Sequence, residues 1–324
     1  MKAATLIVKI AVSLGLLAYI LSSLDLADML ERTTGSDLAI LALGVAVVAL
    51  QPLLGALRWK VLLRALRQPS RFAALTRWTY VGLFLGQVLP TSVGADAVRI
   101  VFARRGGCSL KNAVNSVLLD RIALLLALVL MLAVSLPWIG QYVGAEELYY
   151  LVPLLLVGAV GGLVLLAQAD RLPQRFQRGR AMHAASHLAR DLRATLLDPA
   201  YGGATLLLTF ASHLNLIAAI YVFARAAGAT VGLGECLVLM PSVLLASVLP
   251  ISIGGWGTRE FAMVAALGTA GVSPEIAVLV SVWLGLASIL VTTPGALALA
   301  FGGRRSGAAL PPLFGNTVPA GGLS

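Results

Sequence analysis

Residues 89–99 read Leu-Pro-Thr-Ser-Val-Gly-Ala-Asp-Ala-Val-Arg, and residues 249–259 read Leu-Pro-Ile-Ser-Ile-Gly-Gly-Trp-Gly-Thr-Arg. Leu89, Pro90, Ser92, Gly94 and Arg99 recur at the same spacing as Leu249, Pro250, Ser252, Gly254 and Arg259. Each copy ends an apolar run and interrupts it with Pro and Gly. In a strongly apolar chain, such interruptions at corresponding places in two halves point to a transport site built from broken helices. The competing reading is two unrelated turns that share a taste for Pro and Gly. The distribution of charge along the chain is an independent way to choose.

The surroundings are apolar throughout. Of 324 residues, 59% are hydrophobic and only 12% are charged, against about 25% charged in soluble domains. Mean hydropathy is +0.92. The fold class is therefore all-α and polytopic. The net charge of +10 fits cytoplasmic loops, where Lys and Arg accumulate, and no nucleic acid is expected as a partner. Cys108 and Cys236 have no nearby partner in sequence, so neither a disulfide framework nor metal-ligand spacing is present. His183, His187 and His213 form no recognised catalytic or metal motif. No cofactor and no metal are expected.

Working outward from the first copy, residues 3–24 read as an uncleaved first span and residues 25–37, rich in Asp and Glu, as an outward loop. Residues 38–57 form a second span, long enough for a hydrocarbon core of about 30 Å. Arg58, Lys60, Arg64, Arg67, Arg71 and Arg77 follow without an acid among them, which places them in the cytoplasm. Arg58 and Trp59 then belong at the membrane interface. After the motif come Arg99, Arg104, Arg105 and Lys111, opposed only by Asp96. A complete crossing between these two basic clusters would put the second one outside. A re-entrant hairpin opening from the cytoplasm, with residues 90–95 at its tip, keeps both inside. Backbone of that kind at membrane depth must be packed in protein or line a wet cavity.

Residues 113–136 and 148–168 read as the third and fourth spans, joined by an outer loop marked by Glu146 and Glu147. Residues 170–198 form a basic amphipathic cytoplasmic connector. Leu188, Leu192 and Leu196 share one helical face there, which either lies on the anionic inner leaflet or belongs to a solvated linker. Residues 203–225 form the fifth span. Residues 236–249 enter from outside and the chain returns after the second motif copy. Residues 276–301 form the sixth span, and Arg304 and Arg305 place the C-terminus inside. The Gly- and Pro-rich tail, 303–324, reads as disordered. The result is one membrane domain over 1–302, with about six full spans and two re-entrant helical hairpins. Its halves, about 37–136 and 203–301, have opposite orientation, an inverted-topology repeat. In the rival layout all four hairpin arms cross completely.

Charges inside a membrane segment cost roughly 2.5–3.5 kcal/mol on insertion scales and usually have a purpose. Arg99 and Arg259 come five residues after their motif glycines. A guanidinium can hold a phosphate bidentately. Ser92, Ser252 and the backbone around Gly94, Gly254 and Gly255 would add donors near a half-helix N-terminus. These pieces are expected to bind an anionic lipid headgroup; the alternative has each arginine fastening its hairpin through Asp96 or Glu260. Asn112, Ser116 and Asp120 share a helix face, and eight residues of helix carry Asp120 roughly 12 Å into the bilayer. Asp120 and its neighbour Arg121, with Asp96 and Glu260, are the charge-coupling candidates. Arg99 or Arg259 is the natural partner of Asp120, as a structural ion pair or as part of a gate. His213 and Asn215 in the fifth span are weaker candidates, expected to make interhelical hydrogen bonds.

Arg58-Trp59, the Leu-Pro-x-Ser-x-Gly-x-Asp-x-x-Arg run at 89–99, Leu119-Asp120-Arg121-Ile122 and the run at 249–260 together resemble the lysylphosphatidylglycerol synthase transmembrane, or flippase-like, family. The likeness covers about residues 5–302 and includes the membrane half of the multiple peptide resistance factor. It implies a bacterial inner-membrane protein with both termini cytoplasmic that moves a lipid between leaflets. The implied lipids are anionic or aminoacylated phospholipids, or hopanoid- or polyprenyl-linked ones. Bifunctional members carry an aminoacyl-tRNA-using domain after the membrane half. This chain ends at Ser324, so it is expected to handle a lipid made by a separately encoded enzyme rather than to be an enzyme itself. A homo-oligomer is compatible with this reading. The alternatives are a membrane-embedded lipid-modifying transferase and a non-catalytic partner of a lipid-synthesis complex.

Overall fold

The computed structural model describes residues 37–68, 70–88, 94–142, 146–171, 179–248 and 257–302. The first span, most of the outward loop after it, Pro69, the motif residues Ser92, Ser252, Gly254 and Gly255, and the C-terminal tail lie outside the described residues.

Among the described residues the chain is helical, with no strand. Helix α1, Leu38–Val48, begins where Asp37 accepts the Ala39 N–H at 2.8 Å. It runs almost directly into α2, Gln51–Ala65, and the two make a 28-residue apolar segment. The break between them falls at Pro52, which has no N–H to return to the preceding turn. Helices α3, Phe72–Val88, and α4, Gly94–Arg105, flank the first motif copy. Helix α5, Leu110–Ile139, starts with the Ser109 hydroxyl accepting the Asn112 N–H, and α6 is Glu146–Ala167. A 3-10 turn at Ala169–Arg171 leads to α7, Arg180–Thr195. Helix α8, Pro199–Ala226, has Pro at its first position and an Asp198 carboxylate accepting the Ala200 and Tyr201 N–H groups. Helices α9, Leu233–Val248, and α10, Thr258–Gly268, flank the second motif copy, and α11 is Pro274–Gly302.

Five apolar segments are long enough to cross a membrane: Leu38–Ala65, Leu110–Ile139, Tyr150–Ala167, Pro199–Ala226 and Pro274–Leu299. They coincide with the spans expected at 38–57, 113–136, 148–168, 203–225 and 276–301. One boundary differs. Helix α2 continues through Arg58, Lys60 and Arg64, residues expected in a cytoplasmic loop.

Helices α2, α3, α4 and α5 form a ring of contacts in which each packs on the next and α5 returns to α2. Helices α8, α9, α10 and α11 form the same ring in the same order. Between rings, α2 packs on α8, α3 on α11, and α9 on α5. Exchanging the rings turns the α3–α11 contact into the α9–α5 contact. These contacts follow a two-fold pattern around the α2–α8 pair, from which an additional contact of α5 with α8 departs. The largest apolar core lies in the second ring, around Phe223, Leu239, Met240 and Leu284. A smaller one around Trp59, Leu63 and Leu75 lies in the first.

Helix α7 resolves the connector. Its Leu188, Leu192 and Leu196 face packs on Leu62, Leu66, Leu119 and Ala167, so it meets protein rather than lipid headgroups or water. Burying three leucines against α2, α5 and α6 is favourable by a few kcal/mol. Arg193 clasps Asp170 with both terminal nitrogens, at 2.8 and 2.5 Å, and also donates to the Ala167 carbonyl. Lys111 and Arg190 approach His187 Nδ1 at 2.8 and 2.6 Å.

Acid should loosen this docking. Burial, then the charges of Lys111, Arg190 and His183, hold His187 below its ordinary 6.5, against a smaller opposite pull from Asp191. The hydrogen bond from Arg193 leads in holding Asp170 below 3.8. Both groups are depressed in the folded protein, so the unfolded chain takes the protons first. Their contribution is complete above about pH 6.5 for His187 and above about pH 4 for Asp170, and is lost as pH falls below. Amide exchange across α7 at pH 5.5, corrected for intrinsic rates, is expected to be faster than at pH 7.5 relative to α8. His187→Gln should abolish that difference, and equal protection at both pH values in the parent protein would contradict the assignment.

Candidate functional site

The site begins on α2. Gln51, Gly55 and Arg58 stand at i, i+4 and i+7, on one helix face, and all three line a partly enclosed cavity of about 160 Å³. Arg58 is buried and reaches across to α5, where its Nε donates to Asp120 Oδ1 at 2.5 Å. Its Nη1 donates to Ser212 Oγ on α8 at 3.0 Å. From α4, Arg99 Nη1 donates to Asp120 Oδ2 at 2.8 Å. Asp120 is 1% exposed, and each of its oxygens is held by a different arginine.

The next residue on α2 locks the second arginine. Trp59 lies 4.4 Å below the Arg99 guanidinium, ring to cation. Its indole N–H donates to Ser116 Oγ at 2.9 Å, and Ser116 donates to the Ala113 carbonyl. Trp59 is 0% exposed and Arg58 is buried too, so both side chains pack against protein. Both are held in the interior because α5 offers them a carboxylate, Asp120, and a hydroxyl, Ser116. The basic run after the span hid this, since a paired arginine and a solvated one look alike in sequence.

One turn of α5 holds the third pair. Arg121 grips Asp96 with two parallel hydrogen bonds of 2.8 and 3.0 Å. Arg99 is also 3.8 Å from Asp96. Arg58, Arg99, Arg121, Asp96 and Asp120 therefore form a single cluster that ties α2, α4, α5 and α8 together, and all five line the cavity.

The second motif copy builds a different cluster. Arg259 donates from Nε to Ser281 Oγ at 2.8 Å and from Nη2 to Glu260 Oε1 at 2.9 Å. Ser281 in turn donates to Glu260 Oε1 at 2.8 Å. The other oxygen, Oε2, accepts the Gly257 N–H at 2.6 Å and caps α10. Gly257 has φ +87°, a conformation suited to glycine. Glu260 is 0% exposed. Ser281, on α11, thus meets Arg259 much as Asp120 on α5 meets Arg99, and here the acid, Glu260, stands on α10 beside the arginine.

Of the two partners expected for Asp120, Arg99 meets it and Arg259 instead meets Glu260 and Ser281; Arg58, Ser212 and Ser281 were not foreseen. The Gln51–Gly55–Arg58 spacing was the available signal for the first. His213 Nε2 lies 3.2 Å from the Leu124 carbonyl, and Asn215 donates to the Val47 carbonyl and to Gln51 Oε1, the interhelical hydrogen bonds expected of them. Gly94 opens α4. Ser92, Ser252, Gly254 and Gly255 fall outside the described residues. Among the described residues no group of three or more His, Cys, Asp or Glu gathers to hold a metal.

A cluster of five charged residues, three of them buried, packed among helices of an apolar chain, can be set beside a comparison against known families. The model of the lysylphosphatidylglycerol synthase TM region matches residues 6–295. The chain belongs to that family. It is accordingly a membrane protein of a family related to lipid handling. No curated protein matches it. The match takes in both clusters, Arg58 to Arg121 and Gly257 to Ser281, so the two sites are features of the family region and not of a flanking segment.

Proposed function

We propose that this family member moves a membrane lipid between leaflets, with α3–α4 and α9–α10 as re-entrant hairpins of an inverted repeat. The supporting observation is the Arg99–Asp120 cluster, a set of charges lining a cavity among the helices of an apolar chain; between membrane-spanning helices unpaired charge is costly. Helix length supports the hairpins. Helices α3, α4, α9 and α10 have 17, 12, 16 and 11 residues; at 1.5 Å per residue all fall short of about 30 Å. The two-fold contact pattern of the rings is what an inverted repeat produces. On this reading the protein sits in a bacterial inner membrane with both termini cytoplasmic. The transported lipid is anionic, aminoacylated or isoprenoid-linked. Arg99 contacts the headgroup, while Arg259, engaged by Glu260 and Ser281, fastens its hairpin and joins in when that contact opens.

A membrane-embedded transferase is the weaker reading. It needs a free carboxylate as base, and Asp120 and Glu260 have both oxygens occupied. The test is leaflet exchange of headgroup-labelled lipids in liposomes containing the purified chain. Exchange of an anionic or aminoacylated lipid is expected, slowed roughly tenfold or more by Arg99→Gln. Absence of exchange for every anionic, aminoacylated and isoprenoid lipid tried would remove the proposal.

A further inference from the structure

Three arginines and two aspartates line the cavity beside Asp120, so its wall carries a net charge of +1. The two pairs that can be drawn, Arg58 with Asp120 and Arg121 with Asp96, leave Arg99 sharing an acid already satisfied. Arg99 Nε is buried and has no hydrogen-bond partner among the described residues. Arg99 as a whole is only 9% exposed. Thr79 Oγ1, on the same wall, is likewise buried and unpartnered among the described residues. A buried donor left without an acceptor is unfavourable, and so is one uncompensated positive charge among spanning helices. A single anion that accepts hydrogen bonds removes both deficits.

Geometry narrows the class of anion. The first turn of α4 reaches the wall through Ala95 and Asp96, so the positive end of that helix faces the cavity. The volume, about 160 Å³, is below the 300–1,000 Å³ or so typical of sites that enclose a whole drug-sized ligand. It admits a compact tetrahedral group with a few waters, while anything attached stays outside. Arg121, with 42% of its side chain exposed, marks the accessible side. We infer that the cavity binds one singly charged phosphoryl oxyanion, with Arg99 Nε and Thr79 Oγ1 as donors and Arg121 at the mouth. Among the described residues the second cluster sets one arginine against one glutamate and shows no such surplus, so the inference concerns the first half. This inference rests on the lipid reading for the source of the phosphoryl group, a phosphodiester headgroup; free phosphate has the same chemistry.

The test is the thermal unfolding midpoint of the full chain in neutral detergent, titrated with phosphatidylglycerol, diacylglycerol or inorganic phosphate. Saturable stabilisation by phosphatidylglycerol and none by diacylglycerol is expected. Stabilisation by inorganic phosphate as well would make the oxyanion itself sufficient, and its absence would make the lipid the source. Two charge variants, each referred to its own unliganded midpoint, move affinity in opposite directions. Asp96→Asn, which raises the wall to +2, should tighten phosphatidylglycerol binding roughly tenfold, and Arg121→Gln, which neutralises it, should weaken binding roughly tenfold. A purely structural Asp96–Arg121 pair predicts weakening by both. Should Arg121→Gln fail to fold, Thr79→Val, which removes a donor and leaves the charge of the wall unchanged, should weaken phosphatidylglycerol binding without altering the response to diacylglycerol. Equal response to phosphatidylglycerol and diacylglycerol, or weaker binding by Asp96→Asn, overturns the inference. Phosphate-dependent binding without leaflet exchange would remove only the transport reading; exchange without such binding would remove only this one.

Discussion

Asp120→Asn is expected to destabilise the protein by about 3–5 kcal/mol, the cost of breaking a buried ion pair from one side. Asp120 is the acceptor for two guanidinium groups from two helices, at 2.5 and 2.8 Å. Asparagine keeps the shape but offers one acceptor oxygen and turns an NH2 toward the other arginine. One of Arg58 and Arg99 is then a buried cation facing a donor, with Ser212 or Trp59 as its remaining neighbour. Removing a guanidinium at the same time should recover part of the loss. Asp120→Asn/Arg99→Gln is expected to be less destabilised than the sum of its single changes, the coupling a double-mutant cycle measures. Denaturant unfolding in micelles, followed by helix signal, is the measurement. A loss under about 1 kcal/mol for Asp120→Asn, within the range of exposed pairs, would mean the cluster does not hold α2, α4 and α5 together.

Gly295→Ala should cost about 1–3 kcal/mol, the range for overpacking a close contact, and Gly295→Leu more. A Cβ on Gly295 would lie 2.3 Å from the Tyr80 carbonyl oxygen and 2.6 Å from its carbon. Both are backbone atoms of α3, which cannot swing away as a side chain would. The contact joins the first ring to the second, because α3 and α11 meet there. Pro294, beside Gly295, removes one N–H from the α11 ladder. Gly158 on α6 provides the control, since a Cβ there meets nothing within 4 Å. Gly158→Ala should be neutral or stabilise by up to about 1 kcal/mol through helix propensity. Unfolding midpoints of the two variants, side by side, decide the matter. If Gly295→Ala is as harmless as Gly158→Ala, the two backbones are not in contact.

Both predictions concern contacts that no local pattern announces. Asp120 and Arg99 stood out because carboxylates and guanidiniums are rare in apolar helices and expensive there. Arg58 did not, because it begins a run of basic residues that charge asymmetry assigns to the cytoplasm. The helix instead continues through it, and the decision comes from α5 and α8 presenting Asp120 and Ser212 at hydrogen-bonding distance. Trp59 misled for a related reason. An indole near charges commonly marks a headgroup layer, yet here its N–H is satisfied by Ser116 and its face by Arg99. Leu188, Leu192 and Leu196 gave α7 an apolar face, but periodicity does not say what covers it.

The linear pattern was sufficient for the helical class, five helical segments long and apolar enough to cross a membrane, and the family. Those depend on runs of apolar residues and on Pro and Gly, whose effects act within a few residues of where they stand. It took the packed rings to establish which charges meet. Arg99 and Asp120 lie 21 residues apart and Arg58 and Asp120 62. Over such distances the pairing depends on helix crossings, here those of α2 and α4 on α5, and a crossing depends on the shapes of two surfaces at once.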